Sequence, residues 1–344
     1  MANGNQTAGQ LNTVTLPEFT DLVEKEFALS QQMVETGLAR SLFIYDDITA
    51  NTGDTRRYDE VDTETYASLK REGEAAVKAN VNVGYTKTLS VRRFAKEIEI
   101  TWEMRRYNKK PEVMGQLKSL NHFCSQRMEL DLTHRLTFAT STSYTDMDGE
   151  TVTTTTGDGL SLASASHTLS ASSSTYRNRV SGDPVFSQGA LESAEELGVT
   201  NIFSNFGERR VKMFNTIVSG DDPSTCRDIR QVLESTADID AGHEGVKNVY
   251  MNKYRHVKLP YLATTATGAH DSTKKKWWFL IAAGQGVNGW QAYLGVAEQP
   301  NLKTPAAGNN GEDVHTDNWF YGVRCAYGIV TLNGIGLIAS CPST

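Results

Sequence analysis

Four things this 344-residue chain lacks narrow what it can be. Its four cysteines, Cys124, Cys226, Cys325 and Cys341, are far apart and form no C-x-x-C pair. That argues against a disulfide framework or a zinc ribbon and fits reduced thiols in a reducing compartment. No run of about 18 apolar residues occurs, so no membrane-spanning helix is predicted. The opening MANGNQTAGQLN lacks the basic and apolar blocks of a secretory signal. A surplus of positive charge is also missing. The formal net charge is −7, and the basic clusters at Arg92-Arg93, Arg105-Arg106, Lys109-Lys110, Arg209-Arg210 and Lys274-Lys275-Lys276 are short and scattered. A protein whose main task is gripping nucleic-acid phosphates needs clustered cations, so a dedicated DNA reader is not expected.

What the chain does contain is an unusual order of segments. Residues 1–15 are polar and without period; alone they are expected to be mobile, and if ordered they must lie on another surface. Pro17 and Glu18 then open a helix, in which Phe19, Leu22, Val23, Phe27, Met33, Val34 and Leu38 recur at helical spacing up to Gly37. Residues 48–80 are poor in apolar side chains: Tyr58, Val61, Tyr66, Leu69 and Val77 stand among charges. From there the period becomes two. Val81, Val83, Tyr85, Leu89 and Val91 fall on one face, and Ile98, Ile100 and Trp102 on another, with Glu97, Glu99 and Glu103 between them. The pattern predicts an extended hairpin over residues 48–103 whose outer half carries Arg56, Arg57, Asp59, Glu60, Lys70 and Arg71. A two-stranded ribbon without packed neighbours is marginal in water. Something outside the ribbon must hold it, and neighbouring copies of the same chain are the obvious partners. The six charged residues are therefore the candidate inter-subunit contacts.

Pro111 and Glu112 open a second helix, predicted over residues 111–139. At about 1.5 Å per residue it spans roughly 40 Å. Leu117, Leu120, Cys124, Met128, Leu132 and Leu136 follow one stripe, while Phe123, Leu130 and Phe138 lie off it, so the helix is expected to touch neighbours on more than one side. Asp148-Gly149 between alternating threonines reads as a hairpin turn. Ser187 is expected to cap a helix through Leu197, and Ser224 another through Glu234. Strands are expected over residues 211–218, 246–251 and 277–283, followed by a Pro- and Gly-rich loop over residues 300–317. Asn333-Gly334 between apolar runs predicts a closing hairpin. The class is α+β with mainly antiparallel strands, and no internal repeat is present.

Several motifs carry chemistry on paper. Gly284, Gly286 and Gly289 form G-x-G-x-x-G after an apolar run, the placement of a dinucleotide-binding turn. The next segment meets Gly295 and Pro300 before a full helix can form, so a tight turn between strands is the better reading. Asp146, Asp148 and Glu150 resemble part of a calcium loop, but Tyr144 and Thr155 stand where its first and last ligands belong, which favours a plain turn. The seven histidines show no H-E-x-x-H and no metal-ligand pairing, and there is no G-x-S-x-G elbow. Cys124, close to His122 and His134, is explained by helix packing. No catalytic residue, cofactor or metal site is predicted, and the chain is not expected to be an enzyme.

The stretch L-A-S-A-S-H-T (residues 162–168), the later Asn178, and P-V-F-S-Q-G-A-L-E-S-A (residues 184–194) resemble a pattern of tailed-bacteriophage major capsid proteins, the Hong-Kong-97-type capsid fold. The order of elements is similar too: N-terminal arm, extended loop, long spine helix, peripheral domain, axial domain and a closing apolar strand. The resemblance implies an N-terminal arm and helix in residues 1–47 and an extended loop in residues 48–103. It further implies a peripheral domain in residues 104–220 and 318–344, with spine helix 111–139, and an axial domain in residues 221–317. It implies a head protein that self-assembles as pentamers and hexamers into an icosahedral shell enclosing double-stranded DNA. Such a protein is assembled in the host cytoplasm and located in the virion, with weak DNA contact and no membrane. Separate scaffolding, portal and decoration proteins are the further partners it implies. Because little precedes Pro17, any scaffold is expected to be a separate chain. No cross-link through Lys70 or Lys78 is expected. The competing readings are an encapsulin-like compartment shell, another phage structural protein such as a tail-tube or decoration subunit, and a soluble nucleotide-binding enzyme using Gly284–Gly289.

Overall fold

The computed structural model describes residues 16–34, 37–50, 53–64, 66–107, 109–200, 204–208, 213–237, 247–285, 289–305 and 317–343. The chain opens with helix α1 (Leu16–Val34) and the short strand β1 (Ile44–Asp47). Strands β2 (Thr55–Thr63), β3 (Val81–Ser90) and β4 (Arg92–Ile100) follow. The Thr101 side chain then accepts a hydrogen bond from the Met104 N–H and caps the short helix α2 (Trp102–Arg106). Trp102 therefore opens a helix and does not extend the preceding strand.

Helix α3 (Lys110–Thr137) has proline in its first turn, Glu112 near its N-terminus, and His134 and Arg135 in its last turn, which suits the helix dipole at both ends. Val113, Leu120, Cys124, Met128, Leu132 and Leu136 are buried along one stripe, and Leu130 is buried off it. The long helix thus lies where the periodicity put it and touches neighbours on more than one side. Two small ribbons follow, β5 (Ser143–Thr145) with β6 (Thr151–Thr153), and β7 (His167–Thr168) with β8 (Thr175–Tyr176). The turn of the first is at Asp148-Gly149, where Gly149 takes the positive φ of 83° that the turn requires.

Ser187 accepts from the Ala190 N–H at the start of α4 (Gln188–Thr200). Strand β9 (Thr216–Ser219) leads to α5 (Pro223–Glu234). The cap of α5 is Asp222, not the expected Ser224: Pro223 takes the first helical position and Asp222 accepts from the Thr225 N–H at 3.0 Å. The chain closes with β10 (Arg255–Lys258), β11 (Trp278–Ile281), β12 (Ala292–Lys303), β13 (Trp319–Thr331) and β14 (Leu337–Ser340). The strand expected over 246–251 is absent among its described residues. Lys247 makes an isolated bridge to Ala237, and the chain then turns. The Asn248 amide holds that turn to the end of α5 by donating to the carbonyls of Val232 and Ser235. Of the strand expected over 211–218, residues 211–212 lie outside the described set and β9 begins at Thr216.

Two four-stranded sheets carry the fold, ordered β1-β12-β13-β4 and β10-β9-β11-β14. One hydrophobic core joins α1, α3, the first sheet and one face of the second, through Val218, Phe279, Ile281, Leu337 and Ala339. The opposite face of the second sheet, with Ile217, Trp278, Leu280 and Ile338, packs under α4 and α5 against Leu191, Ala194, Ile229 and Leu233. Alternate residues of one strand thus serve two cores.

The sheet pairings redraw three expectations. Strand β4 pairs with β13 in the first sheet, so the two-stranded ribbon is only β2 with β3. The Asn333-Gly334 step is no hairpin: β13 and β14 lie in different sheets, and the step carries the chain from one sheet to the other. Strand β12 continues through Pro300 to Lys303. The proline falls in a register shift between Glu298 and Asn301, where its missing N–H costs no ladder bond. Residue 220 lies between β9 and α5, which share the second core, and β12 belongs to the first sheet.

Candidate assembly interface

The β2–β3 ribbon is anchored at one end and unburied at the other. At its root, Tyr58 stacks on Tyr293 with ring centroids 4.3 Å apart, and burial together with its hydrogen bond to Asp46 pushes the Tyr58 phenol well above its ordinary pKa. Leu89 is 1% exposed and fits a hole made by Gly295 and Gly328, which face each other across β12 and β13. A Cβ on Gly328 would stand 2.5 Å from Leu89 Cδ2, so this close approach requires glycine.

Above the root, a β-bulge changes which residues of β3 point outward, while β2 alternates without a break, with Tyr58, Glu60 and Asp62 inward and Val61 outward. The register runs Asp59↔Thr86 and then Val61↔Val83, so one extra residue of β3 is accommodated beside Gly84. A single-residue shift sends every later side chain to the opposite face. The expected common face of Val81, Val83, Tyr85, Leu89 and Val91 is therefore broken. Leu89 is buried, and Tyr85 turns toward the body to bond Thr168 at 2.8 Å. Val61, Val81 and Val83 stand outward at 60%, 63% and 58% exposure. Their polar neighbours turn inward: Glu60 and Asp62 are 5% and 6% exposed. Glu60 accepts from Asn333 Nδ2 at 2.7 Å, and Asp62 from the Asn205 N–H at 2.8 Å.

Residues 66–79 form a tip without helix or strand, closed at its base by Glu64 and Asn80. Asn80 donates its amide N–H and its side-chain Nδ2 to the Glu64 carboxylate, at 3.2 and 2.6 Å. Tyr66, Leu69 and Val77 on this tip are 66%, 84% and 70% exposed.

The six charged residues expected to make contacts are thus distributed unevenly. Lys70 and Arg71 lie on the exposed tip, beside the turn that Gly73 closes with a φ of 79°. Arg57 and Asp59 pair with each other at 2.6 Å on the exposed side of the ribbon, and Arg56 pairs with Asp46 at 3.0 Å. Arg56 to Glu60 sit near the root rather than in the outer half, and Glu60 faces the body of its own subunit. The residues that sequence reasoning missed are the outward valines. For Val81 and Val83 the available signal was Gly84, since a glycine inside a strand marks a bulge or a close approach; a Cβ there would stand 2.8 Å from Glu60 Oε2. For Val61 it was the plain alternation of β2 with Tyr58 inward.

The Ser-His…Asn stretch fastens the body beneath the ribbon. Asn178 donates to the carbonyls of Leu162 (2.7 Å) and Gly334 (3.1 Å) and accepts from the Ser164 N–H. His167 is fully buried, bonds Asp158 at 2.8 Å and stacks on Tyr176. Burial would raise the Asp158 carboxyl, but the hydrogen bonds from His167 and Thr156 outweigh it and hold the pKa down at about 2. Elsewhere, β4 is the free edge of the first sheet, and a cleft of about 800 Å³ runs along it, lined by Phe94, Lys96, Phe123, Arg127 and Leu130.

The remaining motifs are accounted for locally. Asp146 is taken up by the backbone N–H groups of Asp148 and Glu150 and by Arg92, and Asp148 pairs with Arg127, as in a fastened turn. Among the described residues no three of His, Cys, Asp and Glu come together as a metal site. Gly284 takes a φ of 71° in the turn after β11, Gly286 lies outside the described residues, and β12 follows Gly289 with no helix between them among the described residues. The helix N-terminus that a pyrophosphate would need is not found there.

A sequence model of the family described as phage capsid protein matches residues 84–340. No curated protein sequence matches the chain. The structure is similar to the capsid structure of the cyanophage P-SCSP1u, with a TM-score of 0.53 at 10% identity, covering 87% of this chain and 86% of that one. It is similar also to the capsid of Ralstonia phage GP4, with a TM-score of 0.50 at 12% identity and 86% of each chain covered. The chain belongs to the phage capsid protein family.

Proposed function

We propose that this chain is the major head protein of a tailed phage, whose copies associate as pentamers and hexamers into an icosahedral shell around double-stranded DNA. The observation that supports this reading most strongly is the ribbon. Its outer valines and the apolar side chains of its tip stay exposed in one subunit, although burying each would be worth roughly 1.5–3 kcal/mol. A neighbouring copy supplies the cover. The first sheet with α3 forms the peripheral part and the second sheet with α4 and α5 the axial part, while Lys70 and Arg71 set the charge of the ribbon's tip contact. The subunit works through contact surfaces and not as a catalyst. An acidic chain suits a container, which needs only weak contact with its cargo. Scaffolding, portal and decoration proteins complete the proposed set of partners. Assembly in the host cytoplasm precedes residence in the virion.

Negative-stain electron microscopy with light scattering, on the chain expressed alone and then with its neighbouring genes, tests the proposal. Closed shells or discrete pentamers and hexamers that copurify with nucleic acid are expected. A stable monomer near 37.9 kDa under both conditions would overturn it.

A further inference from the structure

The fold treats the chain's adjacent basic residues unequally. Arg56-Arg57 and Arg92-Arg93 lie within the paired strands β2 and β4, Arg105-Arg106 within α2, and Lys110 of Lys109-Lys110 opens α3. Lys274-Lys275-Lys276 is half-buried, with Lys274 3.2 Å from Asp271 and 4.1 Å above the Phe138 ring. Arg209-Arg210 lies outside the described residues. Lys70-Arg71 alone among the described pairs is exposed throughout on a segment with neither helix nor strand. Every residue from 66 to 80 is exposed. Among the described residues, the tip's one internal backbone bond runs from the Glu74 N–H to the Arg71 carbonyl at 3.2 Å, and an exposed bond of this kind exchanges readily for water.

A protease takes its substrate as an extended chain. A basic pair inside a helix or a sheet must first unfold, so its cutting rate carries the free energy of local opening. Exposed loop tips carry no such barrier and are where nicking concentrates. A cut in this tip would not dismantle the ribbon, because each strand is held to the body on its own. On β2, Glu60 bonds Asn333, and Asp62 bonds the Asn205 N–H. On β3, Asn82 Nδ2 donates to Ser170 Oγ and Lys87 Nζ to Thr155 Oγ1, each at 2.8 Å, and Leu89 is buried.

We propose that the peptide bond between Arg71 and Glu72 is a proteolytic modification site of the unassembled subunit, open to endoproteases that recognise paired basic residues. Water adds across the bond, leaving a carboxylate on Arg71 and an amino group on Glu72. The cut puts Tyr66 and Leu69 on one free end and Val77 on the other. Each end must then be ordered separately against a neighbour, at a larger entropic cost, so the cut subunit drops out of assembly. In a shell the neighbouring copy covers the tip and shields the bond; this part rests on the proposed function.

Digestion of the purified, unassembled chain with a kexin-class endoprotease, which cuts after Lys-Arg, tests the site, read by intact mass. One early cut is expected, giving fragments 1–71 and 72–344 that elute together in size exclusion and melt near the Tm of the uncut chain. Lys70→Gln/Arg71→Gln should slow that cut by about tenfold or more, because the remaining pairs must open first. A first cut elsewhere in the chain would overturn the proposal, as would a double variant cut at the parent's rate. The cut chain should form no closed shells, and shells of the uncut chain should resist the protease; shells of normal yield from the cut chain would also overturn it. Digestion of the unassembled chain requires no shell, so its failure is distinct from failure of assembly.

Discussion

In the sheet β10-β9-β11-β14, every residue of β9, β11 and β14 is buried. In the outer part of the β2–β3 ribbon the usual facing is inverted: Glu60 and Asp62 face in, and Val61, Val81 and Val83 face out. Both regions use β-branched and aromatic side chains, yet only the sheet finds its partners within its own chain. The sheet's sequence answers to its own two cores. The ribbon's answers to the body on one face and leaves apolar side chains exposed on the other, the face that the proposed function gives to another copy. A subunit can therefore be stable before assembly while keeping unburied apolar area for the contact that completes it.

The widest separation between the two regions should appear in core truncation. Phe279→Ala, in β11 at 0% exposure, should cost about 3–5 kcal/mol in urea unfolding of the unassembled chain. Val83→Ala in the same assay should change stability by less than about 0.5 kcal/mol. Equal losses would break the comparison.

Acid should act on the body before it acts on the ribbon. His134 is 1% exposed on α3. Burial, with Lys274, Arg127 and Arg135 nearby, lowers its pKa from 6.5 to about 4. Its pKa is depressed in the folded state, so its contribution is fully present above the unfolded value and is lost as pH falls from 6.5 toward 4. The loss amounts to about 3 kcal/mol. Stability measured against pH should show this slope together with that of His256, which burial also lowers to about 4, and His134→Asn should reduce it by about half.

A smaller effect is expected at Asn178. Asn178→Ala removes the partner of two carbonyls and one N–H and should cost about 2 kcal/mol, read as a lower urea midpoint with unchanged m-value. The smallest effect on stability belongs to the ribbon tip. Deleting residues 66–78 should leave unfolding of the unassembled chain nearly unchanged while preventing shell formation in the electron microscope.

Much of the body was legible in the sequence because its signals are local. Proline, an early acid and an unbroken apolar period placed α3 within a residue or two at each end, and Asp148-Gly149 marked its turn. The ribbon was legible as an element but not in its facing, since strict alternation carries no record of a bulge. Gly84 was the only local hint that the parity changes. Asn333-Gly334 misled for a related reason: the dipeptide specifies a sharp change of direction, but β13 and β14 find their partners in different sheets. The buried pairing of Glu60 with Asn333 joins residues far apart in sequence, a juxtaposition that no local pattern announces. Glu60 consequently read as a surface charge.

The central claim is that the outward face of the ribbon is completed by another copy of the chain. Its most direct test is the doubly substituted chain Val61→Asp/Val83→Asp, examined by negative-stain electron microscopy beside the unaltered chain, with thermal melting of both. The account predicts a variant that melts cooperatively near the parent's Tm and forms no closed shells. Shells of normal size and yield from that variant would contradict it.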